Sequence, residues 1–570
     1  MTSFVQDAPR AGNPYTEDRL LQAHLRRVLP ESVLDAVEPG LARFGDRVLQ
    51  EVEPLGVAAE ASPPVHVPFD AWGNRIDRVD VPCAWVDLER ISAEEGLVAV
   101  GYERTHGRWS RVHQFARNYL FSPASAVFAC PLAMTDGAAR LIEHYGDAYL
   151  KDQVLPRLIS RDPDRFWVSG QWMTERTGGS DVGGTETVAR QDADGYRLYG
   201  NKWFASAVTA PVAMTLARIE GAPEGSRGLS LFFVKVFDDR GRFRNVRVVR
   251  LKDKVGTRAL PTAELELDGV QARLVGGPGH GVRKIATLFN ITRIYNSIVA
   301  VSFMRKAVAL ARDYAHRRRA FGRFLQELPA HVETLAGLEV AFRGSFALTF
   351  HLAELLGKEE AGEASEDERA LLRLFTPICK LYTARQAVDV VSEAIECIGG
   401  AGYLEESGLG ALLRDVHVLP IWEGTTNILA LDTLRALRKE DAYGPFVADT
   451  RRRLDAVSVP QLEHAVAQTR RALEALETYM VRAGEEPVEF SQAGARFLAW
   501  SMAEIHAAAL LLDHARWALE SGQDEAAVLA ARRWCDRLTG TFALPDLAHR
   551  LVSRSLALEE PVFSPLGAER

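Results

Sequence analysis

Three short segments of the sequence combine residue types that bind and transform small molecules. The first, QWMTERTGGSD at 171–181, holds hydroxyls beside two glycines. Glycines let backbone N–H groups approach a ligand closely, and a Thr or Ser hydroxyl can hydrogen-bond the polar edge of a ring. An ordinary turn has the same composition. The segment is therefore a candidate ligand site only if other segments support it.

The second and third segments add aromatic side chains and a carboxylate. GNKWFAS at 200–206 places an aromatic pair beside small polar residues, although a strand end with core aromatics has the same pattern. IWEGTTN at 421–427 sets Glu423 between Trp422 and Gly424, after an apolar run. Such a setting desolvates a carboxylate and raises its pKa, as a general base requires. A lone Glu is otherwise most often a solvated side chain.

Several common catalytic and cofactor motifs do not occur in the sequence. The nearest approach to GxGxxG is GPGHG at 277–281, whose glycine spacing is wrong for a dinucleotide-binding turn. There is no Walker loop, no HExxH and no GxSxG. Nicotinamide binding on a Rossmann unit, P-loop chemistry, zinc proteolysis and α/β-hydrolase chemistry are therefore not supported, and no metal site is predicted.

Composition is that of an ordinary globular protein. The chain has 570 residues, a formal net charge of −8, 25% charged residues and 47% hydrophobic residues, which excludes a disordered or collagen-like chain. Its five cysteines lie far apart and form no CxxC pair, so a reducing, cytoplasmic location is expected. The N-terminus lacks the basic-then-apolar order of a signal peptide, and we expect no membrane span.

The local patterns of the sequence predict four regions. Residues 1–165 show helical spacing, apart from a Pro- and Gly-containing stretch at 61–74 that predicts a loop. Residues 166–285 hold short runs rich in Val, Phe and Leu with an Asp194-Gly195 turn, which predicts an inserted β domain. Helical spacing returns in 286–440, with a stop at Gly399-Gly400, and again in 441–570. We therefore expect an α+β chain that is mainly α.

Six segments, in their order and separation, make the sequence similar to the acyl-CoA dehydrogenase superfamily. The flavin-binding segments of that family resemble MTE at 173–175 with GGSD at 178–181, and GNKWFAS at 200–206. Its exit from the β domain resembles KVGTR at 254–258, and its R-x-x-F-G element resembles RRAFG at 318–322. Its glycine turn resembles GGAGY at 399–403, and its catalytic I-Y-E-G-T-x-Q motif resembles IWEGTTN. The likeness covers roughly residues 65–440.

Within the superfamily the sequence resembles the alkylation-response, or AidB-type, branch, through MTERTGGSDV, KWFASA, Trp422 and the added C-terminal region. The resemblance implies an acyl-CoA dehydrogenase-like fold. It would have an N-terminal helical domain (1–165), a middle β-barrel-like domain (166–285), a C-terminal four-helix bundle with the FAD site and catalytic base (286–440), and an additional helical domain (441–570). It also implies non-covalent FAD at an interface in a homo-oligomer, either a dimer or a dimer of dimers such as a homotetramer.

The resemblance assigns a role to each matching residue. Glu423 is expected to be the catalytic base, which removes the α-proton of an acyl-CoA thioester while the β-hydride passes to flavin N5 to give an enoyl thioester. Thr292 stands where some relatives carry the base and has no carboxylate. Ser180 and Arg293 are expected to contact substrate. The residues expected to bind FAD are Met173, Thr174, Gly179, Ser180, Phe204, Ala205, Ser206, Arg318, Phe321, Gly399, Gly400, Trp422, Gly424, Thr425, Thr426 and Asn427.

One departure from the family bears on the expected FAD site. Glu396 stands where many relatives have Gln, in a stretch that faces the pyrophosphate. A carboxylate beside phosphates is repelled unless a cation such as Arg318 offsets it.

Three functions remain as alternatives. The favoured one is an FAD-dependent acyl-CoA dehydrogenase of fatty acid metabolism, an oxidoreductase acting on CH–CH bonds, that passes electrons to an electron-transfer flavoprotein. The alternative is an AidB-like flavoprotein with a nucleic-acid-binding role in alkylation stress and weak dehydrogenase activity. Residues 441–570 hold 14 Arg, no Lys and 19 Asp plus Glu, which does not favour nucleic acid, although the run Arg451-Arg452-Arg453 is a candidate basic patch. An acyl-CoA oxidase is a minor alternative.

Overall fold

The structure is a computed structural model that describes residues 7–524, 526–538, 553 and 556–558. The chain divides into two compact units, one of Met1–Ser365 with Thr383–Thr425 and the other of Glu366–Tyr382 with Thr426–Arg570. Helices dominate both units, and every strand among the described residues lies in the first. The boundaries of the four predicted domains stay a prediction.

The N-terminal part of the first unit is mainly helical, as its spacing predicts. α1 follows Asp18, whose side chain accepts a hydrogen bond from Leu21 N at 2.9 Å, and its last turn carries Arg26 and Arg27. Both ends therefore match the helix dipole. The helices are α1 (Arg19–Val28), α2 (Glu31–Arg47), α3 (Glu53–Ala61), α4 (Cys83–Glu94), α5 (Ala99–Glu103), α6 (Ser110–Phe121), α7 (Ala129–Tyr145) and α8 (Leu155–Leu158).

The loop predicted at 61–74 is wrong, because most of it forms an antiparallel hairpin of β1 (Val65–Phe69) and β2 (Arg75–Asp80). Asp70 closes the turn by accepting hydrogen bonds from Trp72 N and Asn74 N, the usual action of Asp in a tight turn. Pro68 falls where the strand register shifts, so its missing N–H removes no ladder hydrogen bond.

The predicted β domain is confirmed as a sheet of seven strands. Asp192 pairs with Gly195 across a turn of Ala193 and Asp194, one residue before the predicted Asp194-Gly195 turn. The strands are β3 (Ser169–Trp172), β4 (Val188–Asp192), β5 (Gly195–Ser206), β6 (Val212–Ile219), β7 (Leu229–Lys235), β8 (Val246–Leu251) and β9 (Thr262–Val275).

The strand pairings close the sheet into a barrel. Its order is β3-β5-β4-β6-β7-β9-β8, with additional pairings of β3 to β6 and of β5 to β9. β9 is long enough to pair with β5, β7 and β8. A closed sheet leaves fewer open edges and has an interior that side chains can fill. Its core includes Trp172, Leu198, Phe232, Val248 and Leu265.

A second apolar core joins the barrel to the helices of the same unit. It brings Met173, Met214 and Leu231 of the sheet together with Leu141 of α7 and Leu288. Full burial of one such side chain contributes about 1.5–3 kcal/mol. The residue that follows β3, Met173, is therefore held by apolar packing.

Long helices complete the first unit. Helical periodicity at 294–315 and at 384–398 is confirmed by α9 (Gly281–Arg317) and α11 (Glu366–Ile398). α11 ends at Gly399, whose φ of 74° is left-handed, which explains glycine at this stop. The unit also contains β10 (Arg319–Ala320), β11 (Arg323–Phe324), α10 (Pro329–Glu360) and α12 (Leu409–Val416).

The second unit is helical in its described part, as predicted. Its helices, besides the start of α11, are α13 (Thr426–Lys439), α14 (Tyr443–Asp455), α15 (Glu463–Glu485), α16 (Val488–Ser521) and α17 (Ala526–Asp536). Phe446, Leu476 and Trp534 are buried in it.

Two helices, α9 and α16, contain an 18-residue stretch apolar enough to cross a membrane. The protein itself buries 89% and 83% of these stretches, respectively. The core helices of a globular protein meet the same criterion of length and composition.

Candidate functional site

Glu423 lies on the turn that follows α12. Its φ is 55°, and that of Gly424 is 108°. The turn is held by hydrogen bonds from Ile421 N and Trp422 N to Val418 O, at 2.9 and 3.0 Å. A left-handed φ is costly for a residue with a Cβ. The backbone is therefore strained at Glu423, which the sequence predicts to be the base.

Two side chains from different elements hold Glu423. Arg293 of α9 donates from Nε to Glu423 O at 3.2 Å. Gln171 of β3 donates from Nε2 to Glu423 Oε1 at 3.0 Å. Asn296, also on α9, supports the turn through a 3.2 Å hydrogen bond from Nδ2 to Leu419 O. The Glu423 side chain is half-buried, and its backbone and carboxylate each have a fixed partner.

The two predicted flavin segments meet beside this carboxylate. Gln171 pairs across the sheet with Ser206, and Trp203 N donates to Thr174 O at 2.9 Å. Sheet pairing thus places Met173 and Thr174 next to the run Phe204, Ala205 and Ser206. Gln171 is not among the site residues that the sequence predicts. Its signal is the period-two alternation of a strand, which puts Gln171 on the same side as the predicted Met173.

A buried ion pair joins the same two segments. Lys202 Nζ lies 2.6 Å from Glu175 Oε1, and both side chains are buried. Glu175 also accepts hydrogen bonds from Thr187 Oγ1 at 2.5 Å and from Glu186 N at 2.6 Å. Burial lowers the pKa of Lys202, while the Glu175 charge acts in the opposite direction. These contacts explain why Glu and Lys occur in the two motifs, a role that sequence spacing did not reveal.

The glycine run after Glu175 forms a tight turn. Glu175 and Gly178 exchange two backbone hydrogen bonds of 3.2 Å. A Cβ at Gly179 would lie 3.2 Å from Thr174 Cγ2, which is closer than nearly all real Cβ contacts. Ser180 is exposed, so its hydroxyl is open to a ligand.

Phe204 presents an open aromatic ring. Its side chain is 51% exposed, although its neighbour Ala205 is fully buried. Lys252 Nζ lies 4.6 Å from the centre of the Phe204 ring and 3.4 Å from that of Trp203. A cation at this distance is attracted to the ring face. The fixed, exposed ring suits the predicted packing on a planar ligand.

Hydrogen bonds link Ser206 to Lys254 through the hydroxyl of Thr262. Its Oγ lies 3.2 Å from Thr262 Oγ1, and Lys254 Nζ donates to Thr262 Oγ1 at 3.1 Å and to Leu260 O at 2.7 Å. Burial lowers the pKa of Lys254 to about 8, while the charges of Asp415 and Glu60 oppose that shift. A cation therefore lies two hydrogen bonds from the predicted flavin contact Ser206.

Cys130, near the start of α7, is close enough to Glu423 to feel its charge. Burial raises the pKa of the Cys130 thiol to about 12, and the Glu423 charge acts in the same direction while Lys254 opposes it. The thiol is therefore neutral at physiological pH. None of the five cysteines, all of which lie in the described part of the chain, forms a disulfide.

Other predicted FAD residues lie around a cavity of about 770 Å³ in the first unit. Arg318, Gly399, Gly400 and Glu396 line it, and the lining residues include neither Glu423 nor Ser206. Phe321 follows β10 and is 94% exposed. One chain thus carries two separate groups of the predicted cofactor residues.

The residue types at both places fit FAD. The two segments that meet at Gln171 carry an open aromatic ring, hydroxyls and a glycine turn. A guanidinium and two glycines line the cavity. No Cβ added at Gly400 would meet an atom within 4 Å, so its backbone is accessible to a phosphate. Glu396 lines the same cavity as Arg318, and that cation can offset its charge.

The remaining predicted residues lie on either side of a unit boundary. Trp422 and Gly424 are half-buried in the first unit, which ends at Thr425. Thr426 and Asn427 begin α13 in the second unit, where Thr426 is buried and Asn427 is exposed. Their contacts with FAD stay a prediction.

The basic run of the second unit is neutralised by acidic partners. Arg451 binds Glu477 at 2.8 Å, and Arg452 binds Asp449. Arg453 lies 2.7 Å from Asp449 and 3.1 Å from Asp513. Guanidinium groups paired in this way offer little free charge to a phosphate backbone.

Four family domains match nearly the whole chain. The acyl-CoA dehydrogenase middle domain matches residues 170–270, and the C-terminal domain of that family matches residues 279–437. The adaptive response protein AidB N-terminal domain matches residues 6–165. The acyl-CoA dehydrogenase 11 C-terminal domain-like family matches residues 441–543.

Individual proteins agree with these matches. The chain is 45% identical over 548 residues to acyl-CoA dehydrogenase family member 11 of Caenorhabditis elegans, covering 93% of this chain and 88% of that protein. It is 34% identical over 395 residues to the putative acyl-CoA dehydrogenase AidB of Escherichia coli, covering 68% and 71%. The crystal structure of Caenorhabditis elegans ACDH-11 in complex with C11-CoA superposes with a TM-score of 0.95 at 43% identity, covering 99% and 98%.

Proposed function

The chain belongs to the acyl-CoA dehydrogenase family, and on that premise we propose that it binds FAD and dehydrogenates an acyl-CoA thioester between its α and β carbons. Members of this family are FAD-binding oxidoreductases. The observation that carries the proposal is the carboxylate of Glu423, which is held by Gln171 and Arg293 beside the segments of Thr174 and Ser206.

The chemistry requires a base on one side of the substrate. The α-proton of a thioester becomes acidic when its carbonyl is polarised, and Glu423 takes that proton. Bound FAD supplies the acceptor for the β-hydride. Hydrogen-bond donation by Gln171 favours the ionised form of Glu423 that the reaction needs. Arg293 fixes the backbone from which the carboxylate projects, which limits misorientation.

Other residues of the chain bind the reactants in this proposal. Thr174 and Ser206 supply hydroxyls at the polar edge of the flavin, and Phe204 packs on its ring. Arg318 binds the pyrophosphate, for which a planar guanidinium is suited. Ser180 and Arg293 contact the acyl-CoA substrate. The neutral thiol of Cys130 adds no competing charge near the base.

The acyl group is proposed to be a medium-length chain on CoA, because a protein of 43% identity was crystallised with C11-CoA. The test is an anaerobic titration of the purified flavoprotein with acyl-CoAs from four to sixteen carbons. We expect C11-CoA and its neighbours to bleach the flavin absorbance. Glu423→Gln is expected to slow the bleaching of the flavin by at least about 100-fold, which is the usual contribution of a general base to the rate.

A matched control is Glu186→Gln, which changes an exposed carboxylate of the β domain and is expected to leave bleaching unchanged. Bound flavin that no acyl-CoA reduces would contradict dehydrogenation. Undiminished bleaching in Glu423→Gln would contradict the assignment of the base. An oxidase would differ in reoxidation, because its reduced flavin would react with oxygen at a rate that exceeds transfer to an electron-transfer flavoprotein.

The proposal includes a second copy of the chain, because the Arg318 cavity and the Glu423 site are separate groups in one protomer. Phe321, three residues after Arg318, is 94% exposed, so its ring is accessible to a partner chain. A dimer or a dimer of dimers in which Arg318 serves the partner's FAD accounts for both features. Sedimentation should give an assembly larger than 62.9 kDa, and Arg318→Met should lose FAD on gel filtration. A monomer that retains FAD would contradict this part of the proposal.

A further inference from the structure

The amide of Gln171 touches the base through its donor side only. Its Nε2 donates to Glu423 Oε1 at 3.0 Å. Its Oε1 is buried and has no hydrogen-bond partner among the described residues. A buried acceptor without a partner is costly, and each such atom calls for an explanation.

The backbone of Gln171 is fixed from both sides of its strand. It pairs in parallel with Met214 of β6 and antiparallel with Ser206 of β5. The next residue, Trp172, is 1% exposed in the barrel core. The amide is therefore presented to Glu423 from a rigid element, which places a functional group more accurately than a loop does.

Glu423 changes its hydrogen-bonding character during the proposed reaction. The ionised carboxylate only accepts hydrogen bonds, whereas the carboxyl that holds the α-proton also has an O–H to donate. A primary amide can serve both forms, because rotation by 180° about its last side-chain bond exchanges the N–H group for the carbonyl oxygen. The unpartnered Oε1 is the acceptor that the protonated form requires.

We propose that Gln171 is a positioning residue that holds Glu423 in both of its protonation states. The inference rests on the proposed function and deepens it. Before proton abstraction, Nε2 donates to the carboxylate and favours its ionised form. After abstraction, the α-proton is bonded to the Glu423 carboxyl group, and this O–H donates a hydrogen bond to Oε1 of Gln171. No proton leaves the pair in this exchange, and the carboxyl group keeps its orientation throughout the chemical step.

Two other residues near Glu423 make contacts of a different kind from that of Gln171. Arg293 of α9 binds the backbone oxygen of Glu423. Cys130 of α7 is a neutral thiol, because burial raises its pKa to about 12. A thiol is also a weak hydrogen-bonding group.

The test compares three substitutions. Gln171→Met keeps the length of the side chain and removes both hydrogen-bonding groups. Gln171→Glu keeps an acceptor, loses the donor and adds a like charge. Gln191→Met is the matched control, because Gln191 is an exposed residue of β4 in the same barrel. Thermal unfolding of each variant establishes that it is folded before the comparison is made.

The first readout is the protonation of Glu423 itself, measured by infrared difference titration of each protein against its Glu423→Gln counterpart. We expect the pKa of Glu423 to rise in Gln171→Met and to rise further in Gln171→Glu, since a neighbouring carboxylate opposes ionisation. Gln191→Met should match the unmodified protein. An unchanged Glu423 titration in both Gln171 variants would overturn the proposal.

The second readout is the pH profile of flavin reduction by saturating C11-CoA. In Gln171→Met we expect the acid limb to move to higher pH and the plateau rate to fall about 10- to 100-fold, with KM within about twofold. A slower plateau with an unmoved acid limb would contradict the proposal, because a packing defect gives that result. If no acyl-CoA reduces the unmodified flavoprotein, the proposed function fails, while the infrared titration still decides the role of Gln171. If Gln171→Met does not fold, the infrared titration of Gln171→Glu decides the role of Gln171.

Discussion

Lys202 Nζ lies 2.6 Å from Glu175 Oε1, and both side chains are buried beneath the segments that carry Thr174 and Ser206. Burial of two charges is costly, and their mutual attraction offsets this cost only while both partners are present. The pair therefore makes the two predicted flavin segments interdependent.

Removal of one partner should be strongly destabilising. We expect Lys202→Met to lower the free energy of unfolding by about 3–5 kcal/mol, because Glu175 is left as a buried charge without its cation. The double substitution Glu175→Gln with Lys202→Met should be less destabilised, since it leaves no unpaired charge. Urea unfolding followed by circular dichroism measures the difference.

A surface ion pair of the same barrel is the control. Arg247 binds Glu266 at 2.8 Å, with exposures of 50% and 42%. Arg247→Met should cost less than about 1 kcal/mol. If Lys202→Met costs no more than Arg247→Met, the buried pair does not have the structural role described above.

Backbone strain at Glu423 predicts that an inactive glycine variant is more stable than an inactive alanine variant. Its φ of 55° is left-handed, a conformation that glycine adopts without penalty and alanine does not. Glu423→Gly should therefore be about 1 kcal/mol more stable than Glu423→Ala, although glycine is normally the less stable choice. Both variants should lack flavin reduction. Equal thermal midpoints for the two variants would mean that this turn carries no strain.

Lys254 should couple pH to the flavin potential. Its pKa is lowered to about 8 by burial, and it is joined to Ser206 through Thr262. A cation near the flavin stabilises the reduced, more negative form, so loss of its proton above pH 8 should lower the potential. Lys254→Met should lower the midpoint potential at pH 7 by about 30 mV, equivalent to about tenfold for a two-electron couple.

Spectroelectrochemistry of the flavoprotein from pH 7 to pH 9 checks this prediction. The extra decrease near pH 8 should be present in the unmodified protein and absent in Lys254→Met. Lys235→Met, at an exposed lysine that ends β7, should retain it. A potential that is insensitive to Lys254→Met would separate this lysine from the flavin.

His113 should make the first unit sensitive to acid. Burial lowers the pKa of His113 to about 3 from an ordinary value of 6.5, and Arg117 acts in the same direction. Its neutral ring accepts a hydrogen bond from Arg117 Nε at 3.0 Å. Because protonation is disfavoured in the folded state, stability is complete above pH 6.5 and is lost as pH falls from 6.5 towards 3.

The loss from this one group between pH 7 and pH 5 is about 2 kcal/mol. His113→Gln keeps a hydrogen-bond acceptor and has no titration in this range. We expect its urea midpoint to fall less between the two pH values than that of the unmodified protein. His464→Gln, at an exposed histidine, should leave the pH dependence unchanged. Parallel pH dependence in all three proteins would contradict the assignment.

Duplex DNA should bind weakly, if at all, at physiological salt. Arg451, Arg452 and Arg453 are paired with acidic residues, and guanidinium groups paired in this way release few counterions from a phosphate backbone. Fluorescence anisotropy with a labelled duplex, from 50 to 200 mM salt, checks this expectation. A tight complex whose affinity falls steeply over that range would support the nucleic-acid alternative instead.

Local sequence patterns determined the elements and the residue types of the site. Helical periodicity predicts α9 and α11, the Asp194-Gly195 turn predicts the β4–β5 hairpin, and glycine predicts the stop at Gly399, because each depends on neighbours in the chain. The prediction of a loop at 61–74 was wrong, since a proline at a register shift removes no ladder bond. The motif order identified Glu423 as the candidate base.

Tertiary structure alone decided which residues surround that base. Gln171 and Glu423 are 252 positions apart, and Lys254 reaches Ser206 only through Thr262 on β9. No local pattern encodes such contacts, because closure of the barrel and packing of α9 bring the segments together. Sequence thus determined that a carboxylate stands in a flavin-type motif. The fold determined the partners of that carboxylate, its backbone strain and the lysine linked to Ser206, since those depend on contacts between distant segments.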